Sequence, residues 1–572
     1  MMNTVKLRDI LFELYGNDPG KTAFEQLIQS LQNYADHISI LNGGRLNQRD
    51  VILIAYPDQI QQRNEHPLAV LAEFCERYLM DTITAIHILP FYPWTSDDGF
   101  SVVDYREVDP RYGNWDDITK LGHHFRLMFD AVINHVSISS DWFQKMLAGD
   151  SQYRDYFIAP AETDDLRRVV RPRALPLLTS YQTTDGEKKI WTTFSADQVD
   201  LNYANPNVLL EILDVLLFYV SKGAELIRLD AIAYLWKESG TLCINLPQTH
   251  RIIQLIRAML DEIASNVLLI TETNIPHADN ISYFGDGTDE AQIVYNFSLP
   301  PLVLHAFQTS SAETLSRWAE DLELPSDQVT FFNFLASHDG IGLNPLRGIL
   351  AESEIEKILN RAQSQGGLVS FKTDADGTRL PYELNINYFD ALNDPNTNEP
   401  LDLQIDRFIT AHAILFAMKG VPGVYFHSLV GSRSWLDGVK ISGQNRTINR
   451  KKLQWDELIS TISDPTTRQA RVFFRVRHLL KIRQRHIAFH PHGLQQILFC
   501  APEVFCVLRS SANRMDHALC LHNISNHQVS LKDFRLPDEI LPKPRNLISG
   551  QFMDDKAAIS MEPYQTLWLA SG

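Results

Sequence analysis

The chain has little cysteine. Its 572 residues hold five, Cys75, Cys243, Cys500, Cys506 and Cys520, an odd number without CxxC or zinc-ligand spacing. That pattern argues against a disulfide framework and a structural zinc, and makes a reducing compartment, the cytoplasm, the expected setting. Basic charge is also short: 52 Lys and Arg stand against 70 Asp and Glu, a formal net charge of −18. Nucleic acid is therefore not an expected partner, because counterion release needs a basic surface. A membrane-spanning run is missing as well. The most apolar stretch, VLLEILDVLLFYV from Val208, carries Glu211 and Asp214, is too short to cross a bilayer and reads as a buried helix. At the start, MMNTVKLRDILFELYG places charges where a secretory leader has its apolar core, so secretion is not expected. Low-complexity tracts and internal repeats are absent, and the lone glycine pairs read as turns. Neither a nucleotide, a flavin nor a pyridoxal cofactor is expected.

What is present is a long chain with 44% hydrophobic residues, enough for one large core with insertions or for two to three domains. Short β-branched runs alternate with amphipathic stretches, the pattern of a parallel α/β architecture. Eight strands can be read: VILIAY from Val51, TAIHIL from Thr84, LMFDAVI from Leu127, ELIRLD from Glu225, VLLITE from Val267, QIVYNF from Gln292, FFNFLAS from Phe331 and GVYFH from Gly423. Eight is the number that closes a (β/α)8 TIM barrel. The expected organisation is a helical extension over 1–50 and a barrel over 51–487, followed by a C-terminal β-sandwich over 488–572. Two connections, 136–205 and 340–403, are too long for ordinary loops and are expected to form subdomains over the barrel mouth.

Barrel enzymes carry their chemistry at the C-terminal strand ends. Four ends stand out here: DAVINH with Asp130, Asn134 and His135; IRLDA with Arg228 and Asp230; ITETN with Glu272; and ASHDG with His338 and Asp339. A single Asp or His at a strand end is more often an ion pair or a hydrogen bond than a catalyst. Three carboxylates at one mouth suit retaining glycosyl transfer, in which a nucleophile and an acid/base stand roughly 5 Å apart. Arg228, two residues before Asp230 on the same strand face, should keep that aspartate ionised. Glu272 ends an apolar run, and desolvation should raise its pKa toward that of a general acid.

These four segments resemble the four signature regions of the α-amylase family, glycoside hydrolase family 13, in the family's order. The resemblance implies Asp230 as nucleophile, Glu272 as acid/base and Asp339 as transition-state stabiliser, with Arg228, His135 and His338 touching the glucosyl ring. A narrower similarity is to the sucrose phosphorylase branch, through SDDGF at 96–100, RPR at 171–173, FSADQVDLN from Phe194, RLDAIAYLWKESGT from Arg228, SHDGIG from Ser337 and INR ending at Arg450. It implies that Asp97 and Arg450 clamp distal glucose hydroxyls. By the same similarity, Phe100, Phe194 and Tyr234 form an apolar platform and Gln198 contributes to the pocket, although each aromatic also has a plain core reading.

A phosphorylase differs from a hydrolase in what intercepts the glucosyl enzyme, so it needs a cationic spot for phosphate. Arg173 matches the phosphate-contacting arginine of the branch, with a surface arginine beside Arg167 and Arg168 as the bland alternative. The segment GSRSWLDGVKISGQNRTINRKK resembles the loop of the glucosylglycerate phosphorylases, which points to an anionic acceptor met by Arg433, Arg446 and Thr447. Those members carry more arginine just before INR than the SGQN found here. Sucrose, sucrose 6-phosphate and glucosylglycerol phosphorylase activity stay open, as do an α-glucoside hydrolase or transglucosidase and a non-catalytic barrel that only binds. Several α-amylases hold calcium through the asparagine equivalent to Asn134, but no acidic cluster follows it, and no metal is expected. Inorganic phosphate is the expected co-substrate, and a homodimer is left open.

Overall fold

The computed structural model describes residues 4–38, 45–373, 378–554 and 558–572. Residues 1–3 of the amino-terminal run, 39–44 of the expected extension and 374–377 of the expected second insertion lie outside them. Eight parallel strands close into a barrel: β1 (Ile52–Ala55), β2 (Ala85–Ile88), β3 (Arg126–Ala131), β4 (Ala224–Leu229), β5 (Leu268–Thr271), β6 (Ile293–Tyr295), β7 (Thr330–Asn333) and β8 (Val421–Tyr425). The ring runs in sequence order and shuts where Ile52 of β1 faces Ala85 of β2 on one side and Gly423 of β8 on the other. Each strand overlaps one of the eight apolar runs, with those at Arg126, Ala224, Thr330 and Val421 beginning one or two residues earlier, because strands covered on both faces are apolar nearly throughout. At Gly423 a Cβ would lie 2.3 Å from the Phe332 ring, so β7 and β8 close up only around a glycine.

The helices on the outside start where their first residues dictate. Pro67–Leu79, Pro206–Ser221 and Pro247–Ile263 each place proline in the first turn, where a missing N–H costs nothing and φ is already helical. Asn205 also caps the second of these, accepting from Asn207 N at 3.0 Å. That helix contains the most apolar run of the sequence and is buried along most of its length. Among the described residues no helix is long and apolar enough to cross a membrane. Two amino-terminal helices, α1 (Val5–Tyr15) and α2 (Asn17–Tyr34), lie against the barrel helices, with Tyr15 Oη donating to the Tyr203 carbonyl at 2.8 Å and Arg251 pairing with Glu13 at 2.9 Å.

Beyond the barrel, β9 (Leu494–Ile497), β10 (Val504–Ser510), β11 (His517–Asn523), β12 (Pro544–Asn546) and β13 (Thr566–Ser571) form an antiparallel sheet in the order 9-10-11-13-12. Both of its faces are apolar, and the two-residue period separates them. Phe505, Val507, Ala518, Cys520 and Trp568 join the barrel core, whereas Val504, Cys506, Leu508, Leu519 and Leu521 pack against the ribbon of Val529–Leu531 and Ile559–Met561.

Candidate active site

The C-terminal strand ends surround a pocket lined by Asp230, Glu272 and Asp339. Its floor is a buried charge network. Arg228 of β4 donates through Nη1 to Asp230 Oδ1 at 2.9 Å and to Asp130 Oδ1 of β3, and its Nη2 lies 3.8 Å from Glu272 Oε2. His87 Nε2 of β2 holds the other oxygen of Asp130 at 2.7 Å. Burial alone would raise the Asp130 carboxyl, but Arg228 and His87 outweigh it and hold it down at about 2. Just after Asp230, Ala231 adopts a left-handed φ of 48°, which turns its N–H toward Glu272 Oε2 at 3.1 Å. A non-glycine residue in that conformation is strained, and the strain falls between the two carboxylates Asp230 and Glu272.

Burial raises the pKa of Asp230 well above the carboxylate range and also that of Glu272, with their mutual repulsion adding to the first and Arg228 opposing both. The sequence argument expected Arg228 alone to keep Asp230 low. The guanidinium is instead shared with Asp130, so its pull on Asp230 is divided. Asp339 differs: burial would raise it, but Arg446, Arg450 and Arg228 bring it below its usual value. Its Oδ1 contacts Arg446 and lies 3.6 Å from Arg450 Nη2, while Oδ2 is 3.5 Å from His338 Nε2. His338 stacks on Phe100 with centroids 4.8 Å apart and is driven well below its usual pKa, first by burial and then by Arg450 and Arg228, so it is neutral.

The far wall comes from the connections that follow β2, β3, β4 and β8. Asp97 and Asp98 take successive left-handed conformations and turn their carboxylates onto Arg450 Nη1, at 3.4 and 2.7 Å. His135 Nε2 lies 2.8 Å from the Phe100 carbonyl, and Gln198 Nε2 donates to the same oxygen at 3.0 Å. Phe194 meets Tyr234 edge-on at 5.5 Å. All of these except Asp98 and Arg450 face the pocket, as does Arg173. Arg228 and Arg450 support it from behind. The structure does not bring Arg433 and Thr447 to the pocket: Arg433 is drawn to Gln404 at 2.9 Å, Asp390 at 3.6 Å and the Phe389 ring, and the Thr447 hydroxyl accepts from Ser442 at 2.8 Å. That corrects their expected place at the acceptor.

Sequence reasoning missed Tyr382, Asn274 and the supports His87, Glu383 and Lys237. His87 had a signal, the one polar side chain in the strand AIHI; Tyr382 and Glu383 sit in an insertion without a motif. Between Asn134 Oδ1 and Asp200 Oδ2 sits the ammonium of Lys237, at 2.8 and 2.7 Å, so the positive charge joining β3 to the first insertion is the chain's own. Among the described residues no group of three or more His, Cys, Asp or Glu is arranged to hold a metal.

A parallel eight-stranded barrel with carboxylates at the ends of β4, β5 and β7 defines the class: barrel enzymes that act on glycosidic bonds. The sequence agrees, with residues 77–343 matching the α-amylase catalytic domain. The chain is 44% identical to the glucosylglycerate phosphorylase of Spirochaeta thermophila over 99% of its own length and 98% of that protein. To the glucosylglycerate phosphorylase of Allomeiothermus silvanus it is 49% identical over 92% of each chain. Among solved structures, the sucrose 6F-phosphate phosphorylase from Thermoanaerobacter thermosaccharolyticum superposes with a TM-score of 0.73 at 25% identity, covering 84% of this chain and 95% of that one. The chain belongs to the α-amylase family, glycoside hydrolase family 13.

Proposed function

We propose that the protein is a retaining disaccharide phosphorylase that moves the α-glucosyl unit of glucosylglycerate onto inorganic phosphate, giving α-glucose 1-phosphate and glycerate. One observation carries the choice of phosphate over water. Arg173 faces the pocket that holds Asp230 and Glu272, yet makes no hydrogen bond or ion pair among the described residues, only a ring contact with Tyr382 at 5.9 Å. Water needs no cation, whereas an attacking phosphate does. The two relatives named glucosylglycerate phosphorylase support the donor.

Asp230 attacks the anomeric carbon while the Glu272 carboxyl protonates the glycosidic oxygen, and glycerate leaves through its hydroxyl. The pair keeps one proton because burial and repulsion disfavour two charges. Arg228, at 2.9 Å from Asp230 and 3.8 Å from Glu272, favours the negative charge on Asp230 and the proton on Glu272, against the burial that raises both carboxyls. A phosphate oxygen then attacks the glucosyl ester, Glu272 takes the proton of the incoming phosphate, and the Asp230 carboxylate is released. Two inversions give net retention. Asp339, held ionised by Arg446 and Arg450, stabilises the positive charge that develops on the sugar. Arg173, Phe194, Gln198 and Tyr382 of the two insertions line the pocket and on this reading help to keep water from the glucosyl ester. Five free thiols, at Cys75, Cys243, Cys500, Cys506 and Cys520, suit a cytoplasmic setting.

The deciding experiment gives the protein α-glucose 1-phosphate with D-glycerate, glycerol, fructose or fructose 6-phosphate in separate reactions and measures phosphate release. Fast release with glycerate alone is expected; release with another acceptor alone would reassign the donor. Glucose as the main product in excess phosphate would make the enzyme a hydrolase.

A further inference from the structure

The second insertion carries a hairpin, Leu368–Thr373 with Arg379–Asn385, whose second strand also pairs with Ile341–Gly342 just beyond Asp339. Two neighbouring residues of that strand hold the two arginines of the pocket, and they do so by different chemistry. The Tyr382 ring lies against the Arg173 guanidinium, and an isolated backbone bridge between Arg171 and Thr373 fastens that loop to the hairpin. A ring face orients a guanidinium and leaves its charge available. Glu383, 1% exposed, takes Arg446 in a two-point grip, accepting from Nε at 2.9 Å and from Nη2 at 2.8 Å, while Arg446 Nη1 contacts Asp339. Arg446 thus faces the pocket with its charge balanced by two carboxylates. Glu383 packs directly over Gly340, the residue that follows Asp339: a Cβ there would lie 2.8 Å from its Cγ, so only glycine leaves it this place.

We infer that Glu383 is a specificity-determining residue: it masks Arg446, so that anions entering the pocket meet one available guanidinium, Arg173, instead of two. The inference rests on the phosphorylase reading, in which a doubly charged phosphate and a singly charged glycerate alternate at the same face of the glucosyl unit. One available cation holds both. Two would hold phosphate too tightly to exchange with glycerate, because each charge-assisted bond strengthens with the charge of the anion.

Calorimetric titration of inorganic phosphate into the full-length chain tests it, comparing wild type, Glu383→Gln, Arg446→Gln and the double variant at one ionic strength. Glu383→Gln is expected to bind phosphate at least about fivefold more tightly, and Arg446→Gln more weakly, with the double variant within about twofold of wild type. An unchanged affinity in Glu383→Gln would show that it masks nothing. A double variant as tight as Glu383→Gln would show that its charge acts without Arg446; either result overturns the inference. If a single variant unfolds because a charge is orphaned, the double variant still decides, since it removes both charges: a shift above about threefold from wild type overturns the inference. Phosphate release from α-glucose 1-phosphate by wild type, measured alongside, isolates the phosphorylase reading. No release with any acceptor would sink that reading while the affinity pattern still judged Glu383.

Discussion

The carboxylates of the pocket and its arginines are built differently. Asp230 and Glu272 stand at the ends of β4 and β5, and their supports Arg228, Asp130 and His87 come from β4, β3 and β2, so the whole network rides on the closed barrel. Arg173 and Arg446 come from connections, and what holds them is a hairpin of an insertion. Strand ends of a closed barrel cannot shift one without another. Connections can change length and sequence while the barrel persists. On the proposed function the comparison teaches a division of labour: the barrel would fix how the glycosidic bond is broken, and the insertions would choose what accepts the sugar.

The largest expected effect breaks the strand-borne side. Asp230→Asn removes the proposed nucleophile and should lower kcat by about 10⁴-fold or more with glucose 1-phosphate and glycerate. Glu272→Gln, paired with a donor whose leaving group needs no proton, should let a glucosyl adduct on Asp230 accumulate, visible as a mass increase on the intact protein. Residual turnover within tenfold of wild type in Asp230→Asn would end the covalent reading.

Next, Arg173→Ala tests the loop-borne side. Loss of a charge-assisted contact of roughly 1.5 to 3 kcal/mol should raise the phosphate KM about 10- to 100-fold, with water taking the glucosyl unit in its place. Arg433→Ala, by contrast, should leave the glycerate KM within about twofold, since its guanidinium is committed to Asp390 and Gln404. Equal effects of the two would erase the distinction between pocket and rim.

The smallest effect concerns stability. Asp130 has a folded pKa of about 2 against an ordinary value of 3.8, so it contributes roughly 2 kcal/mol that is present above about pH 4 and lost as the pH falls toward 2. Urea unfolding from pH 5 to pH 2 should show that loss, and Asp130→Asn should flatten it. A wild-type curve without the loss would mean that the strand-borne network is not what steadies the barrel mouth at acid pH.

Much of this was legible in the sequence, and the reason lies in where the information is local. Each of the eight strands is a short apolar run covered on both sides, so its burial is written in its own residues, as VILIAY and VLLITE show. Three acidic residues at strand ends were likewise visible because the barrel's polarity assigns those ends to one mouth. Composition and the apolar runs by themselves set the expectation of no disulfide framework, no nucleic acid and no membrane span.

Only the tertiary structure decided which arginine is available. Arg173, Arg433 and Arg446 look alike as charges in polar loops, yet one is left with a ring, one is taken by Asp390 outside the pocket, and one is balanced by Asp339 and Glu383. It also decided that Asp230 is buried and shares Arg228 with Asp130, so burial raises the pKa that the strand pattern alone placed low. Pairing between charges that are distant in the chain depends on which loops meet, and no local pattern of residues records that meeting.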